Sequence, residues 1–104
     1  MNREKAVSLL GFAARARKVL TGYNTAKTTA EKGRARLIIV CEDISENSKE
    51  KMRTLARQQE VPYVEYGTSD ELGHITGKDG SGIFVITDTQ FAEAIAKAIE
   101  DTVH

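Results

Sequence analysis

The fold is decided by residues 22–33, which read GYNTAKTTAEKG and follow the strand-like run Val19–Thr21. Gly22 permits a sharp turn after that run, because glycine has no Cβ to forbid a positive φ. Asn24 is suited to start a helix, since its side-chain oxygen can accept from a first-turn N–H, and Gly33 is placed to end it. Such a helix start presents free N–H groups and a partial positive charge, which attract phosphate. We therefore interpret this segment as a helix end that contacts nucleic acid.

Length and composition indicate one domain spanning residues 1–104. A chain of this size buries roughly two-thirds of its unfolded surface, which is enough for one hydrophobic core. No apolar run approaches the ~20 residues that a membrane span requires, and the N-terminus reads as an amphipathic helix, not a signal peptide. The single cysteine, Cys41, can form no internal disulfide. These features predict a cytoplasmic protein without a membrane partner.

The formal net charge of zero conceals a separation of charge along the chain. Residues 1–36 carry nine Lys or Arg and two acids, a net charge of +7, whereas residues 37–104 carry six Lys or Arg and thirteen acids, a net charge of −7. Such asymmetry is typical of a chain that contacts nucleic acid through its basic half. A merely solvated basic surface is the structural alternative, and the size of the asymmetry weighs against it.

Helical and strand patterns alternate along the whole chain. The first helix is expected over Arg3–Lys18, with an inner stripe of Val7, Leu10, Gly11 and Ala14. Strands are predicted at Val19–Thr21, Leu37–Cys41, Tyr63–Tyr66 and Ile83–Ile86, with helices between them and after the last. Strands that alternate with helices imply a mainly parallel sheet between helical layers. The continuous apolar run Leu37–Cys41 predicts a central strand covered on both faces, and ligands of such sheets bind at loops beyond the strand ends.

Capping patterns predict where the later helices begin. Asp43 with Glu46, or Asn47 with Glu50, could cap the third helix, and the sequence leaves both pairs open. Residues 68–71, which read TSDE, form a capping box for a short fourth helix. Thr87 with Gln90 is expected to cap the final helix, whose apolar stripe is Phe91, Ala94, Ile95, Ala98 and Ile99.

The chain lacks the residue patterns of an enzyme or a metalloprotein. One cysteine and two histidines, His74 and His104, do not make a ligand cluster. Residues 73–79, GHITGKD, resemble a phosphate loop, but they have one residue too few between the glycines and Asp79 replaces the required Ser or Thr. Cys41 is best interpreted as a buried, small apolar residue. The sequence therefore predicts no enzymatic activity, no bound metal and no cofactor.

Three motifs together resemble those of the L7Ae/L30e family of kink-turn-binding ribosomal proteins. They are Gly22-x-Asn24 running to Glu31-Lys32-Gly33, the strand and acidic pair of residues 37–45, and Leu72-Gly73 with Gly77 before the last strand. The opening residues 9–18, LLGFAARARK, are similar to the small bacterial members. The resemblance covers nearly the whole chain. It implies an α/β protein, a three-layer α/β/α sandwich with a mixed, about four-stranded sheet.

The same resemblance implies binding to sharply bent internal loops of RNA that contain sheared G·A pairs. Gly22 and Asn24 match the family's Gly-x-Asn-Glu motif, whereas Thr25 and Thr28 stand where the family often has Glu and Lys. Residues 42–44 match a loop beside the RNA, and residues 78–82 match a second RNA-contacting loop. With the flanking basic residues, the predicted RNA-binding set is Gly22, Asn24, Thr25, Lys27, Thr28, Lys32, Arg34, Glu42, Asp43, Ile44, Lys78, Gly80 and Ser81.

Two interpretations of Asn24 stay open at this point, a helix cap or a bidentate contact to a purine edge. The expected partner is a structured RNA such as a kink-turn, ribosomal RNA included. The protein is expected to be ribosomal or ribosome-associated and monomeric when free. The alternative is a protein-interaction module that keeps the fold without binding RNA, which the Thr25 and Thr28 departures favour. A nuclease using Glu42 and Asp43 is a more distant alternative.

Overall fold

The computed structural model describes residues 2–102, so Met1, Val103 and His104 lie outside the described part of the predicted domain. The helices are α1 (Asn2–Arg15), α2 (Tyr23–Glu31), α3 (Glu46–Gln59), α4 (Ser69–Thr76) and α5 (Thr89–Thr102). The strands are β1 (Val19–Thr21), β2 (Leu37–Val40), β3 (Tyr63–Glu65) and β4 (Ile83–Ile86). No helix among the described residues is both long enough and apolar enough to cross a membrane.

The four strands form one mixed sheet in the order β1–β4–β2–β3. Strands β2 and β3 are parallel, whereas β4 is antiparallel to both β1 and β2. The expectation of a mainly parallel sheet is therefore wrong. Only β4 runs against the other three strands, but it lies between β1 and β2 and so creates two antiparallel pairs. The mixed sheet implied by the family resemblance is confirmed.

Helices cover the sheet on both faces, which makes three layers. One core packs α1, α4 and α5 against side chains that alternate along the central strands, Leu37 and Ile39 on β2 and Phe84 and Ile86 on β4. The other core packs α2 and α3 against Ile38, Val40 and Val85. All four residues of β2 are fully buried. The prediction of a central strand covered on both faces is confirmed.

Helix α1 ends three residues earlier than expected, at Arg15. Arg17 adopts the left-handed region with φ 63°, and the N–H of Lys18 donates to the carbonyl of Ala13 at 2.9 Å. This pair of features is a Schellman-type helix end. The fully buried apolar residues of α1 are Ala6, Leu10 and Ala13, so the inner stripe is rotated from the predicted one, and Val7 and Ala14 are half-buried.

Both pairs predicted to cap α3 are wrong. The N-cap of α3 is Ser45, whose Oγ accepts from the N–H of Ser48 at 3.1 Å. Asp43 lies too early in the chain to cap α3, and its carboxylate binds α4 instead.

The predicted cap of α4 is confirmed, whereas the predicted cap of α5 is wrong. Thr68 caps α4 as predicted, because its Oγ1 accepts from the N–H of Glu71 at 3.1 Å. The Thr87 cap of α5 is wrong, since Asp88 Oδ2 accepts from the N–H of Phe91 at 2.9 Å. Asp, Ser and Thr are comparable N-caps, so neighbouring residues of these types leave the helix start undecided by one position.

Candidate nucleic-acid interface

Three loops and the start of a helix meet at one edge of the sheet. We call this the loop edge; it consists of Gly22 and residues 41–45, 66–68 and 77–82. Backbone hydrogen bonds hold its parts together: Gly22 N–H donates to Ile83 O at 3.1 Å, and Cys41 N–H donates to Gly82 O at 2.8 Å. Glu42 N–H donates to Gly67 O at 2.8 Å. The loop edge thus gathers residues that are far apart in sequence.

Helix α2 opens at the loop edge without a side-chain cap. Gly22 is its N-cap, with φ 99° and ψ 155°, a conformation reserved almost entirely for glycine. The helix begins at Tyr23, which places Asn24 in the second helical position. Of the two interpretations of Asn24 left open by the sequence, the helix cap is therefore wrong. Its side chain is exposed and makes no hydrogen bond with the described residues, so the amide is available to a ligand.

A polar strip continues from Asn24 along one face of α2. Asn24, Thr25, Thr28 and Thr29 line a shallow concavity of about 270 Å³. Residues four apart share a helix face, which explains why Asn24 and Thr28 lie together. The three exposed members, Asn24, Thr25 and Thr28, are neutral and can both donate and accept hydrogen bonds.

Lys27 lies on a different flank of α2. Together with Tyr23 it lines a groove of about 330 Å³ between α2 and α3, opposite Glu50 and Lys51. Although Lys27 is next to Thr28 in the sequence, its side chain does not lie on the polar strip. The predicted RNA-binding set does not include Tyr23. This residue is 40% exposed, and the Lys51 ammonium lies 5.8 Å from the centroid of its ring. The sequence signal that could have pointed to Tyr23 is its position between Gly22 and Asn24.

The acidic pair after β2 divides between two roles. Asp43 Oδ1 accepts from the N–H and the Oγ of Ser69, at 2.9 and 3.0 Å. The hydrogen bond from the Ser69 N–H is the main reason that the pKa of Asp43 is lowered. Asp43 therefore holds the start of α4 against the loop edge. Glu42 is exposed, and its charge contributes to a raised pKa of the buried Tyr66 phenol, which results mainly from burial.

Ile44 and Gly82 are in direct contact. A Cβ placed on Gly82 would lie 2.2 Å from Ile44 Cγ2 and 2.9 Å from Ser69 Oγ. The space beside Gly82 is thus filled by Ile44 and is not open to an extruded base. Ser81 Oγ donates to Ile83 O at 3.1 Å, the same carbonyl that accepts from Gly22. Ser81 is therefore tied to the start of α2.

The tip of the 77–82 loop is exposed. Gly80 has φ 85°, and a Cβ there would meet nothing within 4 Å. Lys78 N–H donates to Gly73 O at 2.9 Å, and a Cβ on Gly73 would lie only 3.3 Å from Asp79 Cα. The loop is thus folded back on α4 at its start and open at Gly80. Lys78 is exposed at this tip.

Lys32 and Arg34 do not join the loop edge. Helix α2 has nine residues, so its two ends are about 13 Å apart. Arg34 N–H donates to Thr29 O at 3.0 Å, which places both cations at the end of α2 remote from Asn24. The structure therefore brings together most of the predicted set, with Lys27 in the neighbouring groove and Lys32 and Arg34 on the opposite edge.

The described residues include no cluster of three or more His, Cys, Asp or Glu that could hold a metal ion. Cys41 is fully buried, and this burial raises the pKa of its thiol to about 11. The thiolate is therefore scarce near neutral pH, which makes Cys41 a poor nucleophile. The interpretation of Cys41 as a buried apolar residue is confirmed.

Two solved structures share this architecture. A protein of unknown function from Bacillus halodurans C superimposes with a TM-score of 0.89 at 30% identity, over 92% of this chain and 97% of that one. A Giardia lamblia 15.5kD RNA binding protein superimposes with a TM-score of 0.76 over 96% of this chain and 86% of that one. At 19% identity, the second likeness concerns the fold alone.

Sequence comparison extends the likeness to curated proteins. The chain is 34% identical over 99 residues to the RNA-binding protein YlxQ of Enterococcus faecium, covering 95% of each chain. It is 32% identical over 92 residues to the protein of the same name in Bacillus subtilis (strain 168), covering 88% of this chain and 92% of that one. These relatives are named as RNA-binding proteins, not as enzymes. The model of the Ribosomal protein L7Ae/L30e/S12e/Gadd45 family matches residues 4–96. The chain therefore belongs to this family.

Proposed function

We propose that this chain is an RNA-binding protein whose loop edge recognises a kink-turn or a similar sharply bent internal loop. The observation that carries the proposal is Asn24, an exposed amide at the open start of α2 that caps nothing. Family membership and two relatives named RNA-binding proteins support RNA as the ligand. RNA is read chiefly at bent or unpaired elements, where base edges are accessible.

The chemistry of the loop edge suits such an element. An amide can donate and accept at once, so Asn24 can pair with a purine edge. The first-turn N–H groups of α2 have no side-chain cap and are oriented to bind a phosphate. Gly80 leaves open space through which a backbone segment can approach a base. Lys78 supplies a positive charge at the same loop tip.

The neutral strip distinguishes this site from the common pattern of the family. Thr25 and Thr28 present hydroxyl groups where the family resemblance implies a carboxylate and an ammonium. Hydroxyl groups can bind phosphate oxygens or the ribose 2′-OH. We propose that this protein therefore depends more on Asn24 and on the 77–82 loop than a member with both charges does.

We also propose the setting in which the protein works. The family name includes ribosomal proteins, which supports ribosomal RNA as the source of the kink-turn, so the protein would be ribosomal or ribosome-associated and cytoplasmic. The free protein would be monomeric, and its binding would need no cofactor and involve no catalysis.

Replacing Asn24 with Ser tests the proposal directly. The change removes the amide and keeps the site neutral and polar, and the cap, Gly22, is untouched. We expect an unchanged melting temperature and a loss of about 1–3 kcal/mol in binding a kink-turn RNA, the usual worth of a bidentate base contact. Binding to an unstructured RNA of equal length should change much less, because only phosphates are held there.

Asn47 provides a matched control for this experiment. It occupies the second position of α3, as Asn24 does in α2, and it is also exposed. Asn47→Ser should leave kink-turn affinity within about twofold of the parent. If Asn24→Ser binds the kink-turn as tightly as the parent does, the central contact of the proposal is wrong.

The protein-interaction module is the competing function, and the neutral Thr25 and Thr28 favour it. Purification from cells separates the two at low cost. An RNA-binding protein should co-purify with nucleic acid that high salt removes, whereas an interaction module should not.

A further inference from the structure

Six cations from two chain segments meet at the edge of the sheet opposite the loop edge. We call them the far-edge patch: Arg15, Arg17, Lys18, Lys32, Arg34 and Arg36. Lys18 O accepts from the N–H of Thr87 at 2.9 Å, and Arg36 N–H donates to Ile86 O at 2.8 Å. Lys18 and Arg36 therefore flank the end of β4 from its two neighbouring strands.

Strand register fixes the width of this patch. Val19 and Leu37, which follow Lys18 and Arg36 in the chain, both pair with Ile86. Adjacent strands lie about 4.8 Å apart, so the backbones at Lys18 and Arg36 are separated by about 10 Å. All six side chains of the patch are exposed. The patch therefore gathers six exposed cations at one end of three adjacent strands.

The charges of the far-edge patch are not neutralised within the protein. Within residues 3–101, none of the six lies at ion-pair distance from a carboxylate. Arg36 Nη1 donates to Gly33 O at 2.8 Å and the Arg15 guanidinium stacks on the Phe12 ring, and neither contact neutralises the charge. Arg53 on α3 shows the contrast, since it pairs with Glu46, Glu50 and Glu65 at 2.8–2.9 Å. Four acids lie at this end of the molecule. Glu60 is exposed at the end of α3, just before β3. Asp88 is engaged as the cap of α5, Glu31 faces α3, and Glu93 lies in a groove with Arg36, so positive charge remains in excess.

Arg17 is held in a conformation that costs stability. Its φ of 63° lies in the left-handed region, which disfavours non-glycine residues by roughly 1–2 kcal/mol. Glycine is the usual residue at this point of a helix end. Glu60 adopts the same region at the end of α3, with φ 55°, so this conformation belongs to the helix end and does not by itself mark a binding site.

We propose that the far-edge patch binds the phosphate backbone of an RNA stem, separately from the loop edge. The proposal rests on the proposed function in taking RNA as the ligand. Lys and Arg side chains that have no acidic partner bind phosphates without reading the base sequence. A double-stranded stem presents phosphates at regular intervals across the width of the far-edge patch. The protein would thus hold a bent RNA element at one edge of the sheet and a second stem at the other.

A paired variant tests the far-edge patch. Lys18→Gln with Arg34→Gln removes one cation from each of its two chain segments, and Lys5→Gln with Lys97→Gln makes the same charge change on exposed helix positions outside both edges. The probe is a fully paired RNA duplex of about 16 base pairs without an internal loop. We expect the patch variant to bind the duplex at least tenfold more weakly than the control variant. The slope of log affinity against log salt should fall by roughly two.

Three further measurements complete the design. Kink-turn RNA with short stems should bind the patch variant within about threefold of the parent. Protein saturated with that RNA should still bind the labelled duplex, which a native gel shows as a ternary complex. The charge-conserving pair Lys18→Arg with Arg34→Lys should retain duplex binding, which assigns the loss to charge, while the kink-turn binding kept by the patch variant excludes a loss of folding.

The outcomes separate this proposal from the proposed function. Equal duplex affinity of the patch and control variants would overturn the far-edge site, as would a parent protein that does not bind the duplex. Displacement of the duplex by kink-turn RNA would also overturn it, because the two RNAs would then share one surface. The patch variant could lose duplex binding while the parent binds kink-turn RNA no more tightly than a plain duplex. In that case the proposed function fails and the far-edge site stands.

Discussion

Gly82 and Gly11 both face isoleucine side chains, but at very different distances. A Cβ on Gly82 would lie 2.2 Å from Ile44 Cγ2, whereas one on Gly11 would lie 3.6 Å from Ile75 Cγ2. Gly82→Ala should therefore destabilise the protein by about 1–3 kcal/mol through overpacking. Gly11→Ala should stabilise it by up to about 1 kcal/mol, because alanine favours a helix over glycine and the space exists. Urea unfolding of the two variants measures both effects.

A double-mutant cycle assigns the Gly82 effect to its neighbour. An Ile44→Ala background removes the closer of the two clashes and leaves the 2.9 Å approach to Ser69 Oγ, so Gly82→Ala should cost less than it does in the parent. If Gly82→Ala unfolds at the same urea concentration as the parent, Ile44 does not fill the space beside Gly82.

The position of Asn24 shows what sequence patterns leave undecided at this scale. Glycine and asparagine are both acceptable N-caps, and Gly22 and Asn24 are two residues apart. The choice is made by tertiary structure, since Gly22 N–H is bound to Ile83 O at 3.1 Å and the helix begins directly after it. The motif predicted that the segment is a helix start at a ligand-binding edge. Which residue caps and which stays available depends on a strand 60 residues away.

At the scale of elements, the 77–82 loop is the least constrained part of the loop edge. It is held at Lys78 N–H and at Gly82 O, while Gly80 lies in open space with positive φ. We expect its amides to exchange hydrogen rapidly in the free protein and to gain protection when a kink-turn RNA binds. Hydrogen exchange measured by mass spectrometry with and without RNA checks this. The buried strand β2 is the internal control, since its protection should not change.

Equal exchange of the 77–82 loop with and without RNA would remove this loop from the interface. Protection after addition of a plain duplex alone would contradict the assignment of the loop edge to bent RNA, since the duplex is assigned to the far edge.

The sheet shows which element-level features the sequence could predict. All four strands and all five helices were placed within a few residues, because apolar runs and helical periodicity are local signals. The antiparallel pairing of β4 was not predicted, because it depends on the end of the sheet at which the chain arrives after α4. The segment that contains α4 leaves the loop edge and returns to it, since Asp43 holds the start of α4 and Gly82, just before β4, accepts from the N–H of Cys41. The next strand must therefore start where β3 ended, and no local pattern records that.

At the scale of the molecule, the cations that cluster in the first third of the sequence lie on different surfaces of the folded protein. The sequence predicted one basic half of net +7. The structure places one of its cations in the α2–α3 groove and six at the far edge, while Arg3 and Lys5 lie near the start of α1. Lys27 belongs to the first and Arg34 to the second. A linear charge count cannot show this division, because α2 runs from one edge of the sheet to the other.

Salt dependence of kink-turn binding tests whether cations near the loop edge hold phosphates. If Lys27 and Lys78 each contact a phosphate, binding should weaken steeply as salt rises, by roughly one log unit of slope per contact. The variant Lys27→Gln with Lys78→Gln should lower that slope by about two. Lys5→Gln with Lys97→Gln changes the net charge equally on the opposite helical layer and should leave the slope unchanged. Fluorescence anisotropy over about 50–200 mM salt measures all three proteins. Equal slopes for both variants would mean that net charge alone attracts the RNA and that neither lysine has a local phosphate contact.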